Sequence, residues 1–326
     1  MRTILIYAGI LMLLAACSKQ GIDGNSVIRM TVPKGFPYPT IPADNQPTDN
    51  RIALGKKLFF DPVLSRDSTI SCSSCHHTDK YFTDALAVSI GIDGRTGTRN
   101  APSLINVAWQ KTMFWDGGVP TLEQQVLSPI EAHAEMDYDV NEVVKRLTAS
   151  PEYVKLTQLA YGKAPSPFTL TRAIACYERT LIGTRSKFDD YQYYNSTTAL
   201  NASETRGMNI FFGEKGECFH CHNEYNFTID DYRNNGLYAH YADSGRARIT
   251  LLPDDVGKFK VPSLRNVGVT PPYMHDGSLP TLEAVVTHYN NGGQNHPNKS
   301  PFIKPLLLTT NEQQDLVNFL KALTDQ

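Results

Sequence analysis

Two Cys-x-x-Cys-His motifs constrain this chain more than any other feature. They are Cys72-Ser73-Ser74-Cys75-His76 and Cys218-Phe219-His220-Cys221-His222. In this spacing two thiols can bond the two vinyl groups of one porphyrin, and the histidine is then placed beneath the iron as its ligand. A four-cysteine zinc site or a pair of disulfides would use the cysteines but leave both histidines without a role. The motifs therefore predict two covalently bound haems c.

The N-terminal segment predicts export. Arg2 precedes a short apolar run that ends in Leu14-Ala15-Ala16-Cys17. Small residues before a cysteine at the end of a signal sequence resemble a lipobox, which implies that Cys17 is lipidated; an ordinary signal peptide with a chance cysteine is the alternative. We expect 1–17 to be a lipoprotein signal peptide and 18–46, rich in Pro, Gly and Asn, a tether. The expected location is the periplasm or cell envelope, anchored to a membrane by this lipid.

A segment of the chain repeats at an offset of 160 residues. Residues 102–123 and 262–283 are identical at 11 of 22 positions without a gap. Each half of the chain thus holds one Cys-x-x-Cys-His motif followed by one copy of the segment. The 326 residues, 41% of them apolar, suffice for two cores, and a net charge of −2 gives no indication of nucleic-acid binding. We predict two tandem cytochrome c-like domains, 47–195 and 196–326, each with one covalently bound haem.

The secondary structure is expected to be mainly α, because strand-like alternation is scarce. Thr121 and Thr281 are predicted N-caps, and Thr310-Asn311-Glu312-Gln313 has the pattern of a capping box before a last helix. Cys176 lies in a helical pattern outside both motifs, which favours a buried, inert thiol.

These motifs resemble the bacterial di-haem cytochrome c peroxidase family, in its MauG-like branch, over roughly residues 50–325. Besides the two haem motifs, the segments that carry the resemblance are 99–104, 114–117, 129–130, 135–136, 262–267 and 272–277. The resemblance implies that the N-terminal haem meets hydrogen peroxide, while the C-terminal haem receives electrons and passes them on.

The resemblance also assigns roles to single residues. Trp115 would bridge the two haems, Glu135 would act on peroxide, and Gln125 would be the distal glutamine. Plain packing of Trp115, a solvated carboxylate at Glu135 and a water-holding role for Gln125 are the alternatives. His275, the repeat counterpart of Trp115, is expected to hydrogen-bond a haem propionate.

A bound calcium ion is implied as well. Its ligands would be the side chain of Asn100 and the backbone carbonyls of Thr270 and Pro272. Oxygen donors of this kind suit calcium.

Two departures from the common family pattern concern the sixth iron ligands. Ile92 stands where many members have a histidine over the first haem. Tyr289 stands where many members have a methionine over the second haem; MauG-like members have a tyrosine there. Subtracting 160 from Tyr289 gives Pro129, which cannot bind iron. The expectation is one open haem and one haem closed by Tyr289, with Met274 as a rival ligand and a buried structural tyrosine as the alternative.

Three functions remain open from the sequence. The first is a peroxidase that reduces hydrogen peroxide to water with electrons from a small cytochrome c or cupredoxin. The second is a MauG-like oxidase that uses peroxide to modify a partner protein. The third is a non-enzymatic di-haem electron-transfer protein, against which an open haem counts.

Overall fold

The computed structural model describes residues 24–183 and 185–326. The predicted signal peptide, its Cys17 and the first residues of the predicted tether lie outside the described residues. No helix in the part of the chain that the structure describes is long and apolar enough to cross a membrane.

The fold is mostly helical, and its helices form two groups. The helices are α1 (Asp49–Phe60), α2 (Leu122–Gln125), α3 (Leu127–Glu131), α4 (Val140–Ala149), α5 (Pro151–Tyr161), α6 (Pro167–Glu178), α7 (Lys187–Tyr193), α8 (Ala202–Phe211), α9 (Ala247–Thr250), α10 (Leu282–Asn290) and α11 (Thr310–Lys321). The only strands among the described residues are β1 (Tyr232–Arg233) and β2 (Phe259–Lys260), which pair antiparallel with Tyr232 opposite Lys260.

Each half is organised around two crossing helices. In the first half α1 crosses α6 at Gly55, where an added Cβ would overlap with the carbonyl oxygen of Ala173. In the second half α8 crosses α11 at Gly207, where a Cβ would overlap with the carbonyl oxygen of Asp315. One apolar core forms around each crossing, and a third, smaller cluster contains Val107, Met113, Leu122 and Ala175.

The helix starts follow the predicted capping chemistry closely. The hydroxyls of Thr121 and Thr281 accept the backbone N–H groups three residues on, which confirms both N-caps. The capping box of α11 is formed by Thr309 and Glu312, one residue earlier than the sequence pattern suggested.

The linkers differ from a simple two-domain scheme. The described part of the predicted tether packs on the body: Phe36 stacks edge-on against Trp109 at 5.0 Å and contacts Tyr225 of the second half at 4.8 Å. Helix α7 belongs to the first predicted domain, yet its Phe188 lies in the core of the second half. Aromatic side chains in both segments gain more by burial than by exposure, which composition alone did not reveal. The domain limits themselves stay a prediction.

The sequence repeat is also a structural repeat. Asn106 and Asn266 both have a φ of 60°, and each precedes a short 3-10 helix. A β-bridge between Met113 and Val119 is matched by one between Tyr273 and Leu279. The same turn is therefore built twice, once in each half.

The two copies diverge where Tyr289 and Pro129 correspond. Helix α10 runs unbroken through Tyr289, whereas the first copy is interrupted between Gln125 and Leu127 and splits into α2 and α3. Pro129 has no N–H to donate to the carbonyl of Gln125, and its ring crowds that carbonyl. The proline therefore explains the break one turn before it.

Candidate haem sites and the groups around them

The first Cys-x-x-Cys-His motif forms a tight 3-10 turn over Cys72–Ser74. The backbone N–H of His76 donates to the carbonyl of Cys72, and its ring Nδ1 lies 2.8 Å from the carbonyl oxygen of Phe82. Only a protonated Nδ1 can make that bond, so Nε2 carries the lone pair that an iron would bind. Burial lowers the pKa of His76, which keeps the ring neutral and suited to metal ligation.

The second motif repeats this arrangement. Cys218–His220 forms the 3-10 turn, and Nδ1 of His222 lies 3.0 Å from the carbonyl oxygen of Phe227. Burial lowers the pKa of His222 to about 4. Phe82 and Phe227 both adopt positive φ, 59° and 52°, at the matching places in the two turns.

Residues of the second motif line a cavity of about 280 Å³. Cys218, Cys221 and His222 line it together with Met274 and Tyr289. All five cysteines in the described ranges are free thiols, which argues against the disulfide alternative. The one cluster of metal-ligating side chains among the described residues contains no cysteine, which argues against a four-cysteine zinc site. Two thiols, a neutral imidazole and mainly apolar walls fit a covalently attached haem.

Tyr289 and Met274, the predicted ligand of the second haem iron and its rival, both line this cavity. The amide nitrogen of Asn235 donates to Sδ of Met274 at 3.2 Å and weakly to Oη of Tyr289 at 3.5 Å. Burial raises the pKa of Tyr289 to about 12, so a cation at the cavity centre would be needed to ionise it. Ligation by Tyr289 stays a prediction.

Glu135 lies beside the first motif. Burial is the main cause that raises the pKa of Cys75 to about 11, and the charge of Glu135 adds to the rise there and at Cys72. The side chain of Glu135 is solvent-accessible, yet the surrounding protein atoms desolvate it enough to raise its own pKa. A carboxyl group of this kind can hold and release a proton closer to neutral pH.

The Ile92 segment positions Glu135. The backbone N–H of Ile92 donates to the carbonyl of Glu135 at 2.8 Å, and Ile92 is buried. A Cβ added at Gly91 would overlap with the carbonyl oxygen of Ala134 and lie 2.7 Å from Cα of Glu135. Gly91 is thus required by the close approach of two backbones. Gln125 is half-buried at the end of α2, directly before the helix break.

Trp115 lies on the wall of the cavity, between the two halves. Its Nε1 donates to the carbonyl of Asn100 at 2.9 Å, and the backbone N–H of Asn100 donates to the carbonyl of His275 at 2.8 Å. The repeat counterparts Trp115 and His275 are therefore joined through one residue. His275 is buried and stacks on Phe259, with ring centroids 3.7 Å apart. Its predicted bond to a propionate stays a prediction.

The three residues predicted to bind calcium share this wall. Asn100, Thr270 and Pro272 all line the cavity. The amide nitrogen of Asn100 donates to the carbonyl of Leu86 at 2.8 Å, so its oxygen is the atom that remains for a cation. The calcium ion itself stays a prediction.

Two ionisable groups with strongly shifted pKa values were not predicted from the sequence. Glu178 is buried, its Oε2 has no hydrogen-bond partner, and burial raises its pKa to about 8. Lys260 is half-buried beside Trp115, and desolvation lowers its pKa to about 8. Glu178 follows Cys176 by two residues in α6. Cys176 is fully buried, as predicted, and burial raises the pKa of its thiol to about 11.

Comparison with known proteins establishes the family. The family model described as di-haem cytochrome c peroxidase matches residues 49–197. The chain is 37% identical to methylamine utilization protein MauG of Methylorubrum extorquens over 302 residues, which cover 90% of this chain and 83% of that protein. The chain belongs to the di-haem cytochrome c peroxidase family. The predicted resemblance is thereby confirmed.

Other family members carry either of two names. Cytochrome c551 peroxidase of Nitrosomonas europaea is 35% identical over 277 residues, covering 83% of this chain and 79% of that protein. The crystal structure of a MauG-like protein associated with microbial copper homeostasis matches with a TM-score of 0.87 and 36% identity, covering 92% of this chain and 96% of that one. Membership in the family supports a peroxidase-type oxidoreductase with two haems c. It does not distinguish a peroxidase activity from a MauG-like one.

Proposed function

We propose that this protein is a di-haem peroxidase that reacts with hydrogen peroxide at its N-terminal haem and receives electrons through its C-terminal haem. The observation that carries the proposal is the divergence of the two repeats. Tyr289 stands on an unbroken helix and lines the cavity of the second motif, and Pro129 stands at the corresponding position of the first repeat copy. Neither Pro129 nor Ile92 can bind iron, so peroxide would find the first site open.

When bound, haem iron supplies a site for a peroxide oxygen and the capacity to exchange electrons. Glu135 can accept the proton of the near peroxide oxygen and return it to the far oxygen, so that water leaves. The contact of Gly91 with the backbone of Glu135 fixes where this carboxyl group stands. We propose that Gln125, at the end of α2, holds a water or the peroxide at the same site.

Trp115 would join the two sites electronically. It lines the cavity of the second motif, and its indole is linked through Asn100 to the chain at His275. We propose a calcium ion at Asn100, Thr270 and Pro272 that holds this crossing in place.

A MauG-like oxidation of a partner protein is the second candidate. Tyr289 in place of methionine favours it, as do the relatives named MauG and MauG-like. Electrons would come from a small cytochrome c or a cupredoxin in the first case, and from a protein substrate in the second. For either, we propose a location in the periplasm or cell envelope with a lipid on Cys17.

The test is stopped-flow absorbance of the fully ferric holoprotein mixed with one equivalent of hydrogen peroxide and no reductant. We expect a fast change in the haem bands. Glu135→Gln should slow it by roughly 100-fold or more, the usual scale of proton-transfer catalysis.

A pair of glycine variants supplies a matched control for the position of Glu135. Gly91→Ala should slow the reaction, because the added Cβ collides with the backbone of Glu135. Gly97→Ala should not, because no atom lies within 4 Å of its Cβ. A holoprotein that reacts only after one haem is reduced would contradict the open first site. Repeated turnover with a small redox protein in excess would favour the peroxidase over the MauG-like candidate.

A further inference from the structure

The two repeat copies treat their matching aspartates differently. Asp116 follows Trp115, and Asp276 follows His275, its counterpart. Oδ1 of each aspartate accepts the backbone N–H two residues on, from Gly118 at 2.9 Å and from Ser278 at 3.1 Å. The turns therefore present the same second oxygen, Oδ2, to different surroundings.

Oδ2 of Asp116 is neutralised by arginines. Arg99 donates to it at 2.6 Å and Arg248 at 2.8 Å, and the aspartate is fully buried. Charge-assisted hydrogen bonds from two guanidinium groups therefore already occupy this oxygen.

Oδ2 of Asp276 instead accepts the phenol hydroxyl of Tyr238, at 2.6 Å. No lysine or arginine in the part of the chain that the structure describes pairs with Asp276. Desolvation opposes ionisation of Asp276, but the bonds from Tyr238 and Ser278 hold its pKa below the usual value. Burial and the carboxylate together raise the pKa of Tyr238. The pair is thus a neutral phenol and a carboxylate joined by a short, charge-assisted hydrogen bond.

A ring contact and two hydrogen bonds through Asn100 connect this pair to Trp115. The ring of Tyr238 meets that of His275 edge-on, with centroids 6.4 Å apart, and His275 stacks on Phe259 at 3.7 Å. The carbonyl of His275 accepts the N–H of Asn100, whose own carbonyl accepts the indole N–H of Trp115.

We propose that Tyr238 is a redox-active tyrosine, with Asp276 as its proton acceptor, through which oxidising equivalents from peroxide leave the haem pair toward the surface. The inference rests on the proposed function, because hydrogen peroxide is the oxidant. Reduction of one peroxide to two waters takes two electrons and two protons; one electron would come from Tyr238, the other from the haem pair, and the two protons from the solvent. The phenol O–H bond of Tyr238 would break, its electron would move by way of His275 and Trp115 toward the haem pair, and its proton would move to Oδ2 of Asp276. The half-exposed Tyr238 then holds an oxidant that a donor or a protein substrate can reach.

The experiment is freeze-quench electron paramagnetic resonance of the ferric holoprotein after one equivalent of hydrogen peroxide without reductant. Haem absorbance is followed in parallel. Protein grown on ring-deuterated tyrosine identifies a tyrosyl radical by the narrowing of its signal. We expect this signal in the unmodified protein, and we expect Tyr238→Phe and Asp276→Asn to lose most of it while the initial haem change is kept.

Tyr232→Phe is the matched control. Its hydroxyl is also hydrogen-bonded, but to the neutral Thr112 at 2.6 Å, and the Arg246 guanidinium lies over its ring at 4.4 Å, which disfavours loss of an electron. This variant should keep the radical. A normal haem change with no tyrosyl signal, or with a signal that survives Tyr238→Phe, would refute the tyrosine proposal alone. Absence of any haem change would refute the proposed function, and the tyrosine proposal with it.

Discussion

Glu123 and Glu283 occupy the same position in the two repeat copies but have very different surroundings. The carboxylate of Glu123 receives both terminal nitrogens of Arg179, at 2.6 and 2.9 Å, and the side chains are 9% and 6% exposed. Asn45 adds a third bond at 2.7 Å. Glu283 pairs with Lys321 at 3.1 Å, and these side chains are 52% and 50% exposed.

This contrast predicts unequal losses of stability in Glu123→Gln and Glu283→Gln. Removing one partner of a buried ion pair destabilises by about 3–5 kcal/mol, because the other charge stays buried and uncompensated. Glutamine can still accept one bond from Arg179, so we expect about 3 kcal/mol for Glu123→Gln. An exposed pair contributes about 0–1 kcal/mol. The midpoint of thermal unfolding should thus fall by roughly 10 °C in the first variant, at about 2–4 °C per kcal/mol, and hardly at all in the second.

The measurement is thermal unfolding of the two holoprotein variants, followed by far-UV circular dichroism at pH 7. A second series at lower pH checks the sign. Burial alone would raise the pKa of Glu123, but the bonds and charge of Arg179 hold it below 4.5. The stabilisation by this pair is therefore present above pH 4.5 and is lost as the pH falls below it. Equal losses in both variants at pH 7 would refute the argument from burial.

Three further predictions follow from other buried groups. Glu178→Gln should be more stable than the unmodified protein between about pH 4.5 and 8, because the pKa of Glu178, raised to about 8, makes the native fold less stable as the pH rises through that range. The gain in the free energy of unfolding is at most about 5 kcal/mol, and midpoints of unfolding that shift in parallel at all pH values would contradict it. Gly207→Ala should destabilise the second half by roughly 1–3 kcal/mol in chemical denaturation, the scale of overpacking, because its Cβ meets the backbone of α11. Gly97→Ala should leave the midpoint nearly unchanged, because no atom lies within 4 Å of its Cβ. Tyr289→Phe should alter the ferric spectrum of one haem while peroxide still reacts at the other; an unchanged spectrum would mean that the phenol is not a ligand.

Much of the fold could be predicted because its signals are local. The N-caps at Thr121 and Thr281 need only a hydroxyl and the N–H three residues on, and the repeat is visible as residue identity. The burial of Cys176 was predicted from the helical pattern around it. Each of these depends on neighbours in sequence.

The remaining features depend on contacts between distant segments. The residues next to Glu123 and Glu283 in the sequence do not indicate their partners. Glu123 pairs with Arg179 in the core, and Glu283 pairs with Lys321 at the surface. The partner of Asp276 lies 38 residues away. Phe36 docks on aromatic rings 73 and 189 residues further along, so a segment with the composition of a linker became part of the body. Composition cannot register such contacts.

With the proposed lipid on Cys17, the docked N-terminal segment would limit how far the body can stand from a membrane. The carbonyl of Gly24 accepts the N–H of Asn50 at the start of α1, so the chain is already attached to the body at residue 24. A lipid on Cys17 would then be joined to α1 by seven residues, which span at most about 25 Å when fully extended. The body would be held close to the bilayer, with the start of α1 turned toward it. A donor or protein substrate would have to dock within the layer next to the membrane, or approach from the opposite side of the molecule.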